Sequence, residues 1–130
     1  MKLNIGCKND LRKDYINIDF KDFGQELIRD VTRGLPFSDE TVDEVYTSHF
    51  FEHLENKDVS FVLDECVRVL KKGGRLIIIV PHSDTPFAFY FGHFSYWNEA
   101  NVRDEVSKRP LEFESLDRVG IELQAVMTKK

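Results

Sequence analysis

The stretch Asp58–Pro81, DVSFVLDECVRVLKKGGRLIIIVP, decides the fold class because a helix pattern runs directly into the pattern of a buried strand. Its apolar residues recur at i, i+3, i+4, i+7, i+8 and i+11, which is one face of an amphipathic helix. They are Val59, Val62, Leu63, Cys66, Val67 and Leu70. We expect Asn56 or Asp58 to cap the helix and Gly73 to end it. The apolar run LIIIV then predicts a strand buried on both faces of a parallel sheet.

Shorter strand patterns precede and follow this unit. KLNIG, Tyr15–Ile18, QELIRDV and Glu44–Ser48 predict four strands before the helix. After Pro81 the sequence predicts a loop, a short polar helix in NEANVRDEVSKR, and an antiparallel pair in LEFESLDRV and IELQAVMTK. The expected fold is therefore α/β, a mostly parallel twisted sheet that ends in an antiparallel hairpin, with a right-handed βαβ unit at its centre.

The connections between the first strands are short. Only nine residues separate Ile5 from Tyr15, whereas a parallel crossover normally needs a dozen or more. We therefore expect reduced helix cover on the N-terminal half of the sheet. A thinly covered sheet face predicts self-association, as a homodimer, or a partner protein.

Length and charge restrict the class of protein. The chain has 130 residues, which predicts a single domain over 1–130, and its net charge of −5 disfavours bulk nucleic-acid binding. No apolar run is long enough for a membrane span, and the N-terminus lacks the layout of a secretory signal. Two cysteines, Cys7 and Cys66, do not form a disulfide framework, so we expect buried thiols and a cytoplasmic location.

Polar residues or glycine stand at the ends of three successive predicted strands. Gly6 follows the first, Asp19 the second and Asp30 the third. Ligands of doubly wound sheets bind at the carboxyl ends of strands. Gly6 would let a ligand approach the backbone, Asp19 would accept both hydroxyls of a ribose, and Asp30 would accept an exocyclic amine. The alternative is that turns simply attract Gly and Asp.

The ordered segments LNIGCKNDLRKDYINIDF, IRDVTRGLPFSDETVDEVYTSHFFEHL and ECVRVLKKGGRLIIIVP contain these residues. In this order they resemble the class I S-adenosylmethionine-dependent methyltransferases, and within them the small, compact branch. The resemblance covers Leu3–Pro81, about three-fifths of the chain. It implies a Rossmann-like fold, S-adenosylmethionine as cofactor, and methyl transfer to an acceptor that the sequence does not identify. A small or apolar molecule is one candidate acceptor, and lipid, sugar and protein stay open. A non-catalytic or partner-dependent member of the same fold is the alternative.

The resemblance also implies individual roles. Gly6, with Asn4 and Cys7 beside it, would face the methionine part of the cofactor, Asp19 the ribose, and Asp30 with the backbone of Val31 the adenine. Ser48 and His49 would border the methionine and sulfonium, and His49 and His93 are the candidate catalytic residues. The sequence departs from the family at Lys8, where a second glycine is usual, so we expect a looser cofactor loop. These expected cofactor residues are Asn4, Gly6, Cys7, Asp19, Asp30, Val31, Ser48 and His49.

Two other interpretations compete for the same segments. His49–His53 matches H-x-x-E-H, the inverted zinc-peptidase pattern, with Glu65 as a third ligand. Because His49 directly follows a strand rather than lying in a helix, we favour capping or packing for His53 and expect no metal. A dinucleotide site needs a full G-x-G-x-x-G and an acid about 20 residues on, whereas Asp19 follows Gly6 by thirteen residues.

The segment PFAFYFGHFSYW is rich in aromatic residues. In this architecture the loop after the fifth strand borders the acceptor, so these aromatics would suit an apolar or planar substrate, with His82 or His93 as a general base. A core lid or a dimer surface is the alternative, because aromatic residues dominate both kinds of packing.

Overall fold

The computed structural model describes all residues, 1–130, and contains one seven-stranded sheet. The strands are β1 (Lys2–Ile5), β2 (Ile16–Asp19), β3 (Leu27–Ile28), β4 (Val42–Ser48), β5 (Leu70–Pro81), β6 (Leu111–Val119) and β7 (Glu122–Lys129). The helices are α1 (Asn56–Val69) and α2 (Glu99–Ser107), with 3-10 turns at Val31–Arg33, Phe51–His53 and Pro86–Phe89. The strand order is β3-β2-β1-β4-β5-β7-β6, in which β1 to β5 run parallel and β7 and β6 antiparallel. The predicted fold class is confirmed.

The unit α1–β5 forms as predicted, but both of its predicted helix boundaries are wrong. The residue that caps the start of α1 is Glu55, which makes no side-chain capping bond, while Asn56 and Asp58 lie inside the first turn. The helix ends at Val69, and Leu70 already pairs with Val42 of β4. Gly73 does adopt a left-handed φ of +83°, but within β5, three residues after that pairing begins. Sheet pairing therefore ends the helix earlier than the local glycine signal indicates.

Both helices pack on one face of the sheet. Val62 and Cys66 of α1 and Val106 of α2 share one core cluster with Leu3 and Ile78 of the strands. By the strand register, the opposite face carries Asn4, Asn17, Tyr46, Ile77 and Val126. No α-helix lies on that face, so the expectation of reduced helix cover is confirmed. Neither α-helix combines the length and apolar character needed to cross a bilayer.

A buried amide network holds the short connections between the front strands. The Asn4 side-chain amide donates to Asn17 Oδ1 at 2.9 Å and to the Asp10 carbonyl at 2.7 Å. The Asn17 amide in turn donates to Glu26 Oε1 at 2.7 Å. These bonds tie both connections to the strands they join, so β1, β2 and β3 pair in parallel without crossover helices.

We expect both cysteines to be unreactive in the native protein. Cys66 is fully buried on the apolar face of α1 and Cys7 is 3% exposed, as predicted. Burial raises the pKa of Cys7 to about 11 and of Cys66 to about 12 from an ordinary value of 9.0. A thiol reagent should therefore label neither residue in the folded chain and both in denaturant. Rapid labelling of the folded chain would contradict this expectation.

The same pKa shifts predict how stability depends on pH. Because the thiols of the unfolded chain ionise first, the free energy of unfolding should fall as pH rises through about 9 to 11.

Candidate functional site

A cavity of about 640 Å³ opens at the carboxyl ends of β1, β2 and β4. β1 lies between β2 and β4, so the strand order reverses at this point of the sheet. In open α/β sheets such a switch point is where ligands bind. Five of the predicted site residues line the cavity, namely Gly6, Asp19, Asp30, Val31 and His49.

Gly6 ends β1 in a conformation that other residues avoid. Its φ is +70°, and its amide donates to the Ile18 carbonyl at 2.8 Å. The Phe50 side chain packs directly on its α-carbon, so that a Cβ at Gly6 would lie 2.4 Å from Phe50 Cδ1. The Phe50 side chain therefore occupies space beside Gly6 that the missing side chain leaves open.

Asp19 is buried at the end of β2 and anchors the loop after β1. Its Oδ2 accepts the Lys8 amide at 3.0 Å and its Oδ1 accepts the Lys21 amide at 3.2 Å. Lys8 itself has a φ of +45° and an exposed side chain. The residue that replaces the usual glycine thus holds a glycine-like backbone conformation, and its amide positions the carboxylate.

Asp30 caps the 3-10 turn that begins at Val31. Its Oδ1 accepts from the Thr32 amide at 3.0 Å and from the Thr32 hydroxyl at 2.6 Å. The Thr32 bonds lower the pKa of Asp30, so the carboxylate is charged at neutral pH. The second carboxylate oxygen, Oδ2, makes no hydrogen bond within the protein and lies 3.9 Å from Arg33 Nε.

His49 lies at the end of β4, between two carboxylates and with a left-handed φ of +54°. Its Nδ1 is 3.3 Å from Glu52 Oε2, and its Nε2 contacts Glu122 of β7. Hydrogen bonding to Glu52, with a further contribution from Glu122, raises the pKa of His49 to about 9. The site therefore holds an imidazolium between two acids, which ties the loop after β4 to the C-terminal hairpin.

Three predicted cofactor residues do not line the cavity. Asn4 and Ser48 share the helix-free face of the sheet with Tyr46, because side chains alternate along a strand. Cys7 is buried beneath the loop. His82, offered as a base, does not line the cavity either; its Nδ1 accepts the Asp84 amide and its Nε2 contacts Glu99.

The geometry of the inverted zinc-peptidase pattern does not form. His49 is in a left-handed turn, and only Phe51–His53 forms a 3-10 helix. Glu65 accepts from the Leu35 amide at 2.8 Å and from Arg68 Nε at 2.6 Å, so it is engaged elsewhere. His53 instead packs edge-on against His93, with ring centroids 4.7 Å apart.

Sequence reasoning missed several residues of the cavity wall. Phe20 is 65% exposed and follows Asp19 directly, and Phe23 lies further along the same loop. The alternation of apolar residues in YINIDF places Phe20 on the same side as Ile16 and Ile18 and could have identified it. Lys57 and Asp58 come from the start of α1, and no sequence signal connects them to β1.

Comparisons with known proteins show the family and the fold of the chain. The family described as "Methyltransferase domain" matches residues 8–78. No curated protein matches the sequence. A SAM-dependent methyltransferase from Thermotoga maritima has a TM-score of 0.79 at 16% identity, over 99% of this chain and 82% of that chain. The 1,6-didemethyltoxoflavin-N1-methyltransferase of Burkholderia thailandensis has a TM-score of 0.77 at 14% identity, over 99% of this chain and 70% of that chain. That structure was solved with 1,6-didemethyltoxoflavin and S-adenosylhomocysteine.

A third similar chain comes from the Haloferax volcanii complex between the Trm112 methyltransferase activator and a methyltransferase. It has a TM-score of 0.78 at 16% identity, over 98% of this chain and 81% of that chain. At these identities the likeness to solved structures shows a shared fold.

Proposed function

The chain belongs to the methyltransferase-domain family, and on that premise we propose that it transfers a methyl group from S-adenosylmethionine to a small, apolar acceptor. One observation carries the proposal. The groups that follow β1, β2 and β4 line the same cavity at the switch point of the sheet, although they are far apart in sequence.

The residues present fit the cofactor. A volume of about 640 Å³ lies within the usual range for small-molecule sites, roughly 300–1,000 Å³. The lining includes the cations Lys8, Lys21, Arg29 and Lys57 and the anions Asp19, Asp30, Glu55 and Asp58. This balance suits a ligand that carries both a carboxylate and positive groups. When bound, the cofactor supplies an electrophilic methyl group on a sulfonium.

The chain's own residues would bind the cofactor and orient it for methyl transfer. Asp19 is fixed by two backbone amides and would accept the ribose hydroxyls, because two oxygens with fixed orientation suit two neighbouring donors. Asp30 has one oxygen free of hydrogen bonds for an amine, and Phe20 offers an exposed aromatic face for a planar base. His49, at the end of β4, would border the reacting centre.

The acceptor side is proposed from the segment after β5. Phe94 is 56% exposed and lines the cavity next to Gly92. Further exposed aromatic residues surround them, namely Phe87, Phe89, Tyr90, Phe91 and Tyr96. Such a surface favours an apolar acceptor, and methyl transfer then depends mainly on holding the two reactants in line.

Calorimetry with S-adenosylmethionine, S-adenosylhomocysteine and NAD tests the cofactor assignment. We expect both sulfur ligands to bind in the micromolar range with one site per chain, and NAD to give no heat. Absence of binding of both sulfur ligands at roughly millimolar concentration, which corresponds to about −4 kcal/mol, would contradict the proposal. A panel of apolar and highly polar acceptors, followed by mass spectrometry, then tests the acceptor class.

A partner-dependent form of the same activity is the second candidate. It is favoured by the helix-free sheet face around Tyr46, Ile77 and Val126 and by the Haloferax neighbour, which is part of a complex with a methyltransferase activator. Cofactor binding without turnover of any acceptor would support this candidate. Light scattering that shows only monomers at high concentration would count against a homodimer across that face.

A further inference from the structure

We propose that Glu52, His53 and His93 form a binding site for a divalent transition metal of the Zn²⁺ type at the wall of the cavity. One ligand atom from each of the three residues lies within 4.8 Å of the other two. None of the three residues is assigned to the cofactor, so cofactor binding and metal binding can be tested separately.

Backbone hydrogen bonds hold the two loops of the site together. The Glu52 carbonyl accepts the Phe94 amide at 2.8 Å and the Ser95 amide at 3.3 Å, and the Ser95 hydroxyl donates to the Phe51 carbonyl at 2.8 Å. The turn after β4 and the loop after β5 are thus joined, although more than forty residues separate Phe51 from Ser95. Residues on both loops are positioned in advance, which is what a metal site requires.

In both imidazoles a backbone carbonyl oxygen lies beside Nδ1. His53 Nδ1 lies 3.0 Å from the Gly92 carbonyl oxygen, and His93 Nδ1 lies 3.3 Å from the Ala88 carbonyl oxygen. A carbonyl oxygen only accepts, so Nδ1 donates in both contacts, which leaves Nε2 as the ring nitrogen available to a metal. Metal-bound histidines commonly fix the tautomer in this way.

Glu52 provides the negative charge and an unused ligand atom. Its side chain is 2% exposed, and Oε1 has no hydrogen-bond partner, whereas Oε2 faces His49. A buried carboxylate oxygen without a partner is energetically costly and needs an explanation. A cation bound by Oε1, His53 and His93 would supply the missing partner.

The ligand set favours a borderline metal over Mg²⁺ or Ca²⁺. Two imidazole nitrogens and one carboxylate suit Zn²⁺, Co²⁺ or Fe²⁺, whereas Mg²⁺ and Ca²⁺ prefer oxygen ligands alone. Bond lengths of about 2.0–2.2 Å require ligand atoms about 3.4 Å apart, so the loops must close slightly around the ion. Three protein ligands leave a coordination position open for water or a further ligand, and His53 is the one of the three that also lines the cavity. A lone pair bound to metal cannot accept a proton, so this assignment replaces the predicted base role of His93.

Titration of the metal-free, untagged chain with Zn²⁺ alone tests the proposal, with Co²⁺ as a spectroscopic probe. We expect one ion per chain with micromolar or tighter affinity, and visible Co²⁺ bands that Zn²⁺ displaces. His93→Ala should weaken binding at least about 100-fold, because loss of a ligand exceeds the 10- to 100-fold effect of an outer-shell partner. His93 is only partly buried on a loop, so the variant should fold. His53→Ala should behave in the same way.

His82→Gln is the matched control, since His82 also contacts a carboxylate but lies outside the cluster. It should keep Zn²⁺ affinity within about threefold, well under 1 kcal/mol. Glu52→Gln should abolish the Co²⁺ spectrum if it folds, and circular dichroism will show whether it does. Failure of the wild-type chain to bind one Zn²⁺ per chain, or equal weakening by His82→Gln and His93→Ala, would overturn the assignment.

Discussion

Replacing Gly6 with alanine is expected to lower the free energy of unfolding by about 2–5 kcal/mol. Two effects add. A left-handed φ of +70° disfavours any residue with a Cβ by roughly 1–2 kcal/mol. The new Cβ would also lie 2.4 Å from Phe50 Cδ1 and 2.7 Å from Phe50 Cβ, and overpacking of this kind costs about 1–3 kcal/mol.

The Phe50 side chain cannot simply rotate away from this contact. Its Cβ is fixed by its own backbone, whose carbonyl accepts the His53 amide at 3.0 Å, and its ring packs edge-on against Phe51 at 5.5 Å. The loop after β1 or the turn after β4 must therefore shift. Since both border the cavity, ligand affinity should fall together with stability.

Gly120→Ala separates the two effects. Gly120 also has a positive φ, of +59°, but nothing lies within 4 Å of a Cβ built there. Urea denaturation of the wild-type chain and both variants should show a loss at Gly120 limited to the conformational effect of about 1–2 kcal/mol. Equal losses for Gly6→Ala and Gly120→Ala would show that the contact with Phe50 is not a constraint.

The types of the elements were predictable from the sequence because each follows a local period. The helical repeat from Val59 to Val67 lies within α1, and the alternation predicted for the last strand appears as alternating burial along β7. The end of α1 at Val69 was not predictable, since it depends on the pairing of Leu70 with Val42, a contact between distant residues. Tertiary pairing overrides a local stop signal in such cases.

The residues of the site also divide into those that a local sequence pattern predicts and those that depend on contacts between distant residues. Gly6, Asp19 and His49 reach one cavity because the ends of neighbouring parallel strands must meet. Asn4 and Ser48 do not line the cavity, because side-chain alternation along β1 and β4 turns them to the helix-free face of the sheet. The contact between His53 and His93 depends on hydrogen bonds between two loops, and no periodicity encodes it.

Asp19→Ala is expected to weaken S-adenosylhomocysteine binding by roughly 10- to 150-fold. A hydrogen bond to a charged group contributes about 1.5–3 kcal/mol, and each 1.4 kcal/mol is tenfold in affinity. The side chain has a second role, because it accepts the amides of Lys8 and Lys21. Alanine leaves both amides without this partner, so part of the loss would come from a loosened loop.

Asp19→Asn distinguishes loss of charge from loss of loop structure. The asparagine keeps one oxygen for the Lys8 amide and nearly the same volume, but its second group donates instead of accepting. We expect its melting temperature to lie closer to that of the wild-type chain than the alanine variant's does, while its affinity for S-adenosylhomocysteine falls almost as far. Asp10→Ala is the control, since this exposed acid in the same loop does not line the cavity. A folded Asp19→Asn chain with wild-type affinity would mean that Asp19 only supports the loop, and that the ribose is held by other groups.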